Sequence, residues 1–180
     1  MGLFNRKPKL AADRRPPLER DERMLSWADT ANGDGVVVVS NRGLWLPGRA
    51  HRLGWHDINK AVWSGRELAI TPAEVVAERD GGYLVVADLP VETYLLLEPG
   101  DVPHQVRARV TSSVSYTAHY KLPAGGAVRV VARRVSGVDG LRWTVRYDPG
   151  TPTDDEAVVE QTGALVAAAR DTGDPGALPD

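Results

Sequence analysis

Four consecutive valines, Val36 to Val39, followed by Ser40-Asn41-Arg42-Gly43 and then Leu44-Trp45-Leu46, set the tightest limit on how this chain folds. A β-branched run without polar alternation, bounded by turn residues, reads as a strand buried on both faces or lying at the centre of a barrel. Such a strand needs partners on each side and cover on each face. Asn32-Gly33 and Asp34-Gly35 precede it, and dipeptides of this kind accept positive φ and close hairpins. Before them, Met24, Ser26 and Ala28 alternate with Leu25, Trp27 and Asp29, the period of a half-buried strand. After the valines, Asn41-Arg42-Gly43 turns the chain into a strand at 44–46, which Pro47-Gly48 ends.

The same punctuation continues downstream. One strand is expected over 51–63, with Trp55 and Trp63 on one face by parity. Short strands fit 67–71, 74–78, 83–87 and 92–97, separated by turn chemistry such as Ser64-Gly65 and Asp80-Gly81-Gly82. Short strands joined by tight turns predict an antiparallel sandwich or barrel. After Pro99-Gly100 the period changes. Asp101 is a suitable N-cap, Pro103 is tolerated in a first turn, and Val102, Val106 and Val110 follow helical spacing. That helix would close an open barrel end with its apolar face.

A second unit follows, with strands at 116–122, 127–135 and 141–147. Val128, Val130 and Ala132 point one way there, and Arg129, Val131 and Arg133 the other. Thr151 or Thr153 is expected to cap a last helix whose acidic first turn (Asp154, Asp155, Glu156) complements the helix dipole. Val158, Leu165 and Val166 form its apolar stripe.

On these residues the chain resembles a bacterial pleckstrin-homology-like (PH-like or GRAM-type) domain over about residues 23–113. Val-Val-Val-Ser-Asn-Arg-Gly-Leu-Trp-Leu is similar to the second and third strands of that family, and Leu53-Gly54-Trp55-His56-Asp57-Ile58 to its apolar-x-Trp-x-Asp-Ile step. The chain as a whole is similar to actinobacterial proteins in which this module is followed by a strand hairpin and a helix. The resemblance implies a mainly β (α+β) fold: a small antiparallel PH-like β-barrel capped by a helix, then a β-hairpin or meander and a C-terminal helix. It implies binding of phosphoinositides, peptides or proteins and assigns no catalytic residue. The expected organisation is a disordered basic tail (1–22), the capped barrel (23–114), the hairpin with its helix packed on it (115–172) and a disordered tail (173–180).

Composition excludes several chemistries. The absence of cysteine removes disulfides, thiolate catalysis and Cys-ligated zinc. With no apolar h-region after Arg6, Lys7, Lys9, Arg14 and Arg15, no signal peptide is expected, and the reading is cytoplasmic. No apolar run approaches the roughly 20 residues that span a bilayer. A net charge of −2 gives no global argument for nucleic acid or membranes.

Candidate chemistry is sparse. His56 and Asp57, as strand neighbours, are expected on opposite faces, which defeats a dyad. His51, His104 and His119 lack ligand spacing, so no metal or cofactor is expected, and Ser112, Ser113 and Ser115 read as a helix terminus. Of the five tryptophans, at least three are expected in the core. Charge distribution carries more. Arg107, Arg109, Lys121, Arg129, Arg133, Arg134, Arg142 and Arg146 face only Asp139 in their stretch, whereas the residues from Asp148 onward are acidic, with Arg170 the single base. In the favoured reading the acidic C-terminal helix packs on the basic hairpin and neutralises it. In the other, Arg129, Arg133, Arg142 and Arg146 stay open to phosphate-bearing partners. The expected function is a non-enzymatic PH-like scaffold that binds a protein. The alternative is an anion-binding module for a phospholipid head group or nucleic acid, using those arginines.

Overall fold

The structure, a computed structural model, describes residues 8–173 apart from Asn32 and Asp34. Half of each predicted Asx-Gly hairpin dipeptide therefore lies outside the described residues. The strands are β1 (Met24–Thr30), β2 (Val36–Ser40), β3 (Gly43–Trp45), β4 (Leu53–Gly54), β5 (Ile58–Trp63), β6 (Glu67–Arg79), β7 (Tyr83–Asp88), β8 (Glu92–Leu97), β9 (Val114–Lys121), β10 (Ala127–Arg134) and β11 (Leu141–Tyr147). Among the described residues two α-helices accompany them, α1 (Val102–Ser113) and α2 (Glu156–Gly173). The fold is mainly β, as expected, and the C-terminal helix is present.

The predicted closed, wholly antiparallel barrel is not formed. The strands make one mixed sheet in the order β4-β3-β2-β1-β8-β6-β7-β11-β10-β9, with β5 added to β6. Its ends are β4 and β9, and β11 runs parallel to β7. A parallel neighbour needs a long crossover, here the chain from β8 through β10.

Strand β6 is the reason for the difference. Separate strands at 67–71 and 74–78 are expected, yet the two are one strand of 13 residues. Residues 67–70 pair with β8 and residues 68–72 lie along β5, whereas residues 73–79 pair with β7. Pro72 sits at the handover, where a missing N–H costs least, and its carbonyl accepts the Leu89 N–H at 2.9 Å.

Two cores result. The first contains Val37, Val39, Leu44, Trp55, Ile58, Leu68 and Ile70, and α1 contributes Val102 and Val106 to it. The second packs Val128, Val130 and Ala132 of β10 with Tyr83 and Val85 of β7 and with Val158, Val166 and Ala169 of α2. Strand β7, expected within the first unit, therefore belongs to the second. The valine run is buried on both faces: Val37 and Val39 enter the first core, and Val38 points away from it toward Leu10 and Trp45. Trp45, Trp55 and Trp143 are buried.

That outward face explains the largest departure from expectation. Residues 1–7 lie outside the described residues, but residues 8–22 are docked rather than disordered. Leu10 is 1% exposed and covers Val38, with Leu18 beside it. Arg14 pairs with Asp29 at 2.5 Å, and the Arg15 Nε donates to the Leu10 carbonyl at 2.8 Å. Glu22, its side chain wholly hidden, receives the Ser40 hydroxyl, the Trp45 indole N–H at 2.9 Å and Arg52 at 2.6 Å. Burial would push the Glu22 carboxyl up. The hydrogen bonds from Ser40, Trp45 and the Glu19 N–H, with the charge of Arg52, hold it below its ordinary value. The predicted C-terminal tail lies outside the described residues except Gly173, which ends α2.

Helix caps also differ. Asp101 occupies the N-cap of α1 without a side-chain cap, because its carboxylate accepts the Gln105 amide at 2.8 Å. In α2 the cap is Asp155, whose Oδ1 accepts the N–H groups of Ala157 at 2.9 Å and Val158 at 3.3 Å. Thr151 is buried and bonded to the backbone of Ala127 instead.

Candidate functional site

The four arginines singled out by sequence lie on β10 and β11. Register places Arg129 directly opposite Arg146 and Arg133 directly opposite Arg142. Directly opposed residues share a face, so like charges meet in two rungs, an arrangement that needs compensation. The compensation does not come from α2. That helix covers Val128, Val130 and Ala132, and among the described residues no acid of α2 pairs with these arginines.

Carboxylates from the earlier half of the chain take that role. Arg142 donates to Asp57 at 3.2 Å, and Arg146 to both oxygens of Asp88 at 2.8 and 3.1 Å. Arg133 is 7% exposed and donates to the Ser113 hydroxyl at 2.8 Å. Burial lowers its pKa, Asp57 opposes that, and Arg146 adds to it. Arg129 reaches only the Thr117 hydroxyl, at 3.5 Å, and makes no ion pair among the described residues. The structure does not assemble these four into one open anion site.

His56 and Asp57 are not on opposite faces of a strand. The expected strand at 51–63 is interrupted by a 3-10 turn, Trp55–Asp57, which brings the His56 Nε2 within 3.2 Å of the Asp57 Oδ2. Both Trp55 and Trp63 still meet the first core. Burial lowers the His56 pKa; Asp57 opposes this, and Arg142, Arg133 and Arg52 reinforce it. The pair thus stands where the two cores meet, with Asp57 shared between the His56 imidazole and the Arg142 guanidinium.

A different set of cations gathers around a crevice of about 1030 Å³. Its walls are the end of α1, the start of β9, the β10–β11 loop and the end of α2, and its charged lining is Arg109, Arg134, Arg170 and one acid, Asp139. Ser112, Ser115 and Ser136 add hydroxyls, and Trp143 and Leu141 an apolar patch. Arg170 is held by the carbonyls of Gly81 and Gly82, at 2.5 and 2.7 Å, and lies 5.6 Å from the Trp143 ring centre. Tyr116 packs on the same ring at 5.7 Å. Arg134 donates to the Ser112 carbonyl at 3.4 Å, and the Arg109 carbonyl accepts the Ser112 hydroxyl at 3.2 Å, whereas the Arg109 guanidinium makes no hydrogen bond or ion pair among the described residues. Gly140 shapes the lip with a φ of 85°, a conformation that side chains other than glycine's rarely adopt.

In the sequence, Arg109 and Arg134 belong to the basic run and Arg170 is the single base of an acidic one. Nothing in the chain's linear pattern joins them, because their proximity depends on α2 returning across β10. Among the described residues no group of three or more His, Asp or Glu side chains could hold a metal ion, and no helix is long and apolar enough to cross a membrane. No family model, curated protein or solved structure matches this chain.

Proposed function

We propose that this protein is a non-enzymatic binding module of PH-like type that takes an anionic segment of a protein partner, in the cytoplasm, in the crevice between α1, the β10–β11 loop and α2. The observation that carries this reading is the crevice's charge: three arginines, Arg109, Arg134 and Arg170, line it against Asp139 alone. Guanidinium is the side chain suited to carboxylate or phosphate recognition, and its hydrogen bonds to ionised acceptors are the stronger kind. Trp143 and Leu141 add apolar contact for the segment's side chains. The PH-like part of the reading draws on the run of β-strands followed by α1, whose Val102 and Val106 enter the first core.

A protein segment is favoured over a membrane or nucleic acid by the state of the β10 and β11 arginines. An extended anionic surface needs a row of free cations. Arg133 is buried, and Arg142 and Arg146 are paired with Asp57 and Asp88.

Fluorescence titration tests the reading, with a glutamate-rich peptide, anionic phospholipid vesicles and single-stranded RNA as separate probes. Saturable peptide binding that weakens with salt and is lost in Arg109→Gln and Arg134→Gln is expected. Vesicle or RNA binding without peptide binding would move the assignment to the alternative, and no binding of any probe at low salt would end it.

A further inference from the structure

The long strand β6 is paired unevenly. Its first part has β5 and β8 on its two sides, whereas residues 73–79 pair with β7 alone, leaving one edge of that half without a strand. Unpaired edges present a row of backbone donors and acceptors that can pair with another chain, and proteins blunt them with proline, charged side chains, bulges or cover. This edge reads Ala73-Glu74-Val75-Val76-Ala77-Glu78-Arg79, with no proline or lysine. Val75 and Val76 are 47% and 55% exposed, among the most exposed large apolar residues in the described part of the chain. A bulge between Val75 and Ala77 leaves Val76 out of the ladder with β7. A groove of about 700 Å³ runs from Val76 and Ala77 across Val85 of β7 to Tyr147 of β11.

The edge is also complementary to itself. The bulge brings Glu74 and Arg79 onto one face of β6, opposite Ala87 and Tyr83 of β7, so with two copies antiparallel about an axis through the bulge, Glu74 of each copy stands opposite Arg79 of the other. Within one molecule neither Glu74 nor Arg79 makes an ion pair among the described residues, and the Arg79 Nε is buried without a hydrogen-bond partner. We propose that the free edge of β6, residues 73–79, pairs with the same edge of a second copy of this chain to form a two-fold dimer. Isologous contact of this kind is the commonest symmetry of soluble oligomers. An edge this short buries less area than a standard interface of roughly 1,600 Å², so the association is concentration-dependent rather than permanent.

Sedimentation velocity over a wide dilution series tests this. The wild-type chain is expected to shift from monomer toward dimer as concentration rises, and Val76→Lys to stay monomeric. Glu74→Arg and Arg79→Glu should each be monomeric alone, while a mixture of the two recovers a dimer, since each then meets an opposite charge. A wild-type chain that is monomeric throughout overturns the proposal. So does a Val76→Lys or Glu74→Arg variant that dimerises as the wild type does, or a mixture of folded charge variants that stays monomeric. Should Arg79→Glu fail to fold, Val76→Lys and Glu74→Arg, both at exposed positions, decide the matter.

Discussion

Arg142 donates to Asp57 across 85 positions of sequence, and this one hydrogen bond ties β11 of the second core to the 3-10 turn of the first. Arg133, buried and directly opposite Arg142 in the ladder, is opposed by the charge of the same carboxylate. Asp57→Asn should therefore leave two guanidinium groups under-compensated and cost about 1–3 kcal/mol in urea unfolding. Asp88→Asn, whose pair with Arg146 is more exposed, should cost about 0–1 kcal/mol. Equal losses for the two would contradict the shared role given to Asp57.

Leu10 supplies a second expectation. If the chain ahead of β1 is a packed part of the fold, Leu10→Ala removes a fully buried side chain and should cost about 2–4 kcal/mol. Hydrogen exchange of the Leu18 N–H, bonded to the Pro16 carbonyl at 2.8 Å, should quicken in the same variant. An unchanged unfolding midpoint would mean that residues 8–22 do not pack on Val38 and Trp45.

Stability should fall in two stages as pH is lowered. His56 has a folded pKa below its ordinary 6.5, so the unfolded chain takes up that proton first, and stability declines as pH drops from about 6.5. Glu22 and Glu92 are held below their ordinary 4.5, Glu92 by its Arg49 partner foremost. Their contribution is complete above about that value and is lost as pH falls through their folded pKa values. In a series of urea midpoints against pH, His56→Gln should flatten the first stage and leave the second. A first stage that persists in His56→Gln would assign it to another group.

Backbone approach sets a further expectation. Gly43 lies opposite Gly54 in the β3–β4 pair, and a Cβ at Gly43 would sit 2.4 Å from the Leu53 carbonyl oxygen. Gly43→Ala should thus separate β4 from the sheet and destabilise by about 2–3 kcal/mol, read as a lower thermal midpoint. At Gly48, where nothing lies within 4 Å, the cost comes from its φ of 79° alone and should be smaller.

Much of the secondary structure was legible because it rests on local period and turn chemistry. The burial of Val37 to Val39, the alternation from Val128 to Arg133 and the spacing of Val102, Val106 and Val110 all follow from side-chain direction. What escaped depends on partners distant in sequence. Leu10 and Leu18 are isolated apolar residues without a period, so only the outward face of Val38 gives them a place. Pairing of β7 with β11 is invisible until the chain has returned through α1 and β9. The charge pattern misled for the same reason: the hairpin's counter-charges are Asp57 and Asp88, far upstream, and the acidic helix lies on the other face of the sheet. Of the crevice, only the basic run containing Arg109 and Arg134 was visible, and Arg170 belongs to it through packing alone.

The central claim is that Arg109, Arg134 and Arg170 converge to receive an anionic peptide. Isothermal titration of a glutamate-rich peptide into the wild-type chain and Arg134→Gln, at low and high salt, addresses it most directly. The account predicts binding that weakens as salt rises and an affinity at least about tenfold lower in Arg134→Gln, equivalent to about 1.4 kcal/mol. Equal affinity for the two chains, or binding indifferent to salt, would contradict it.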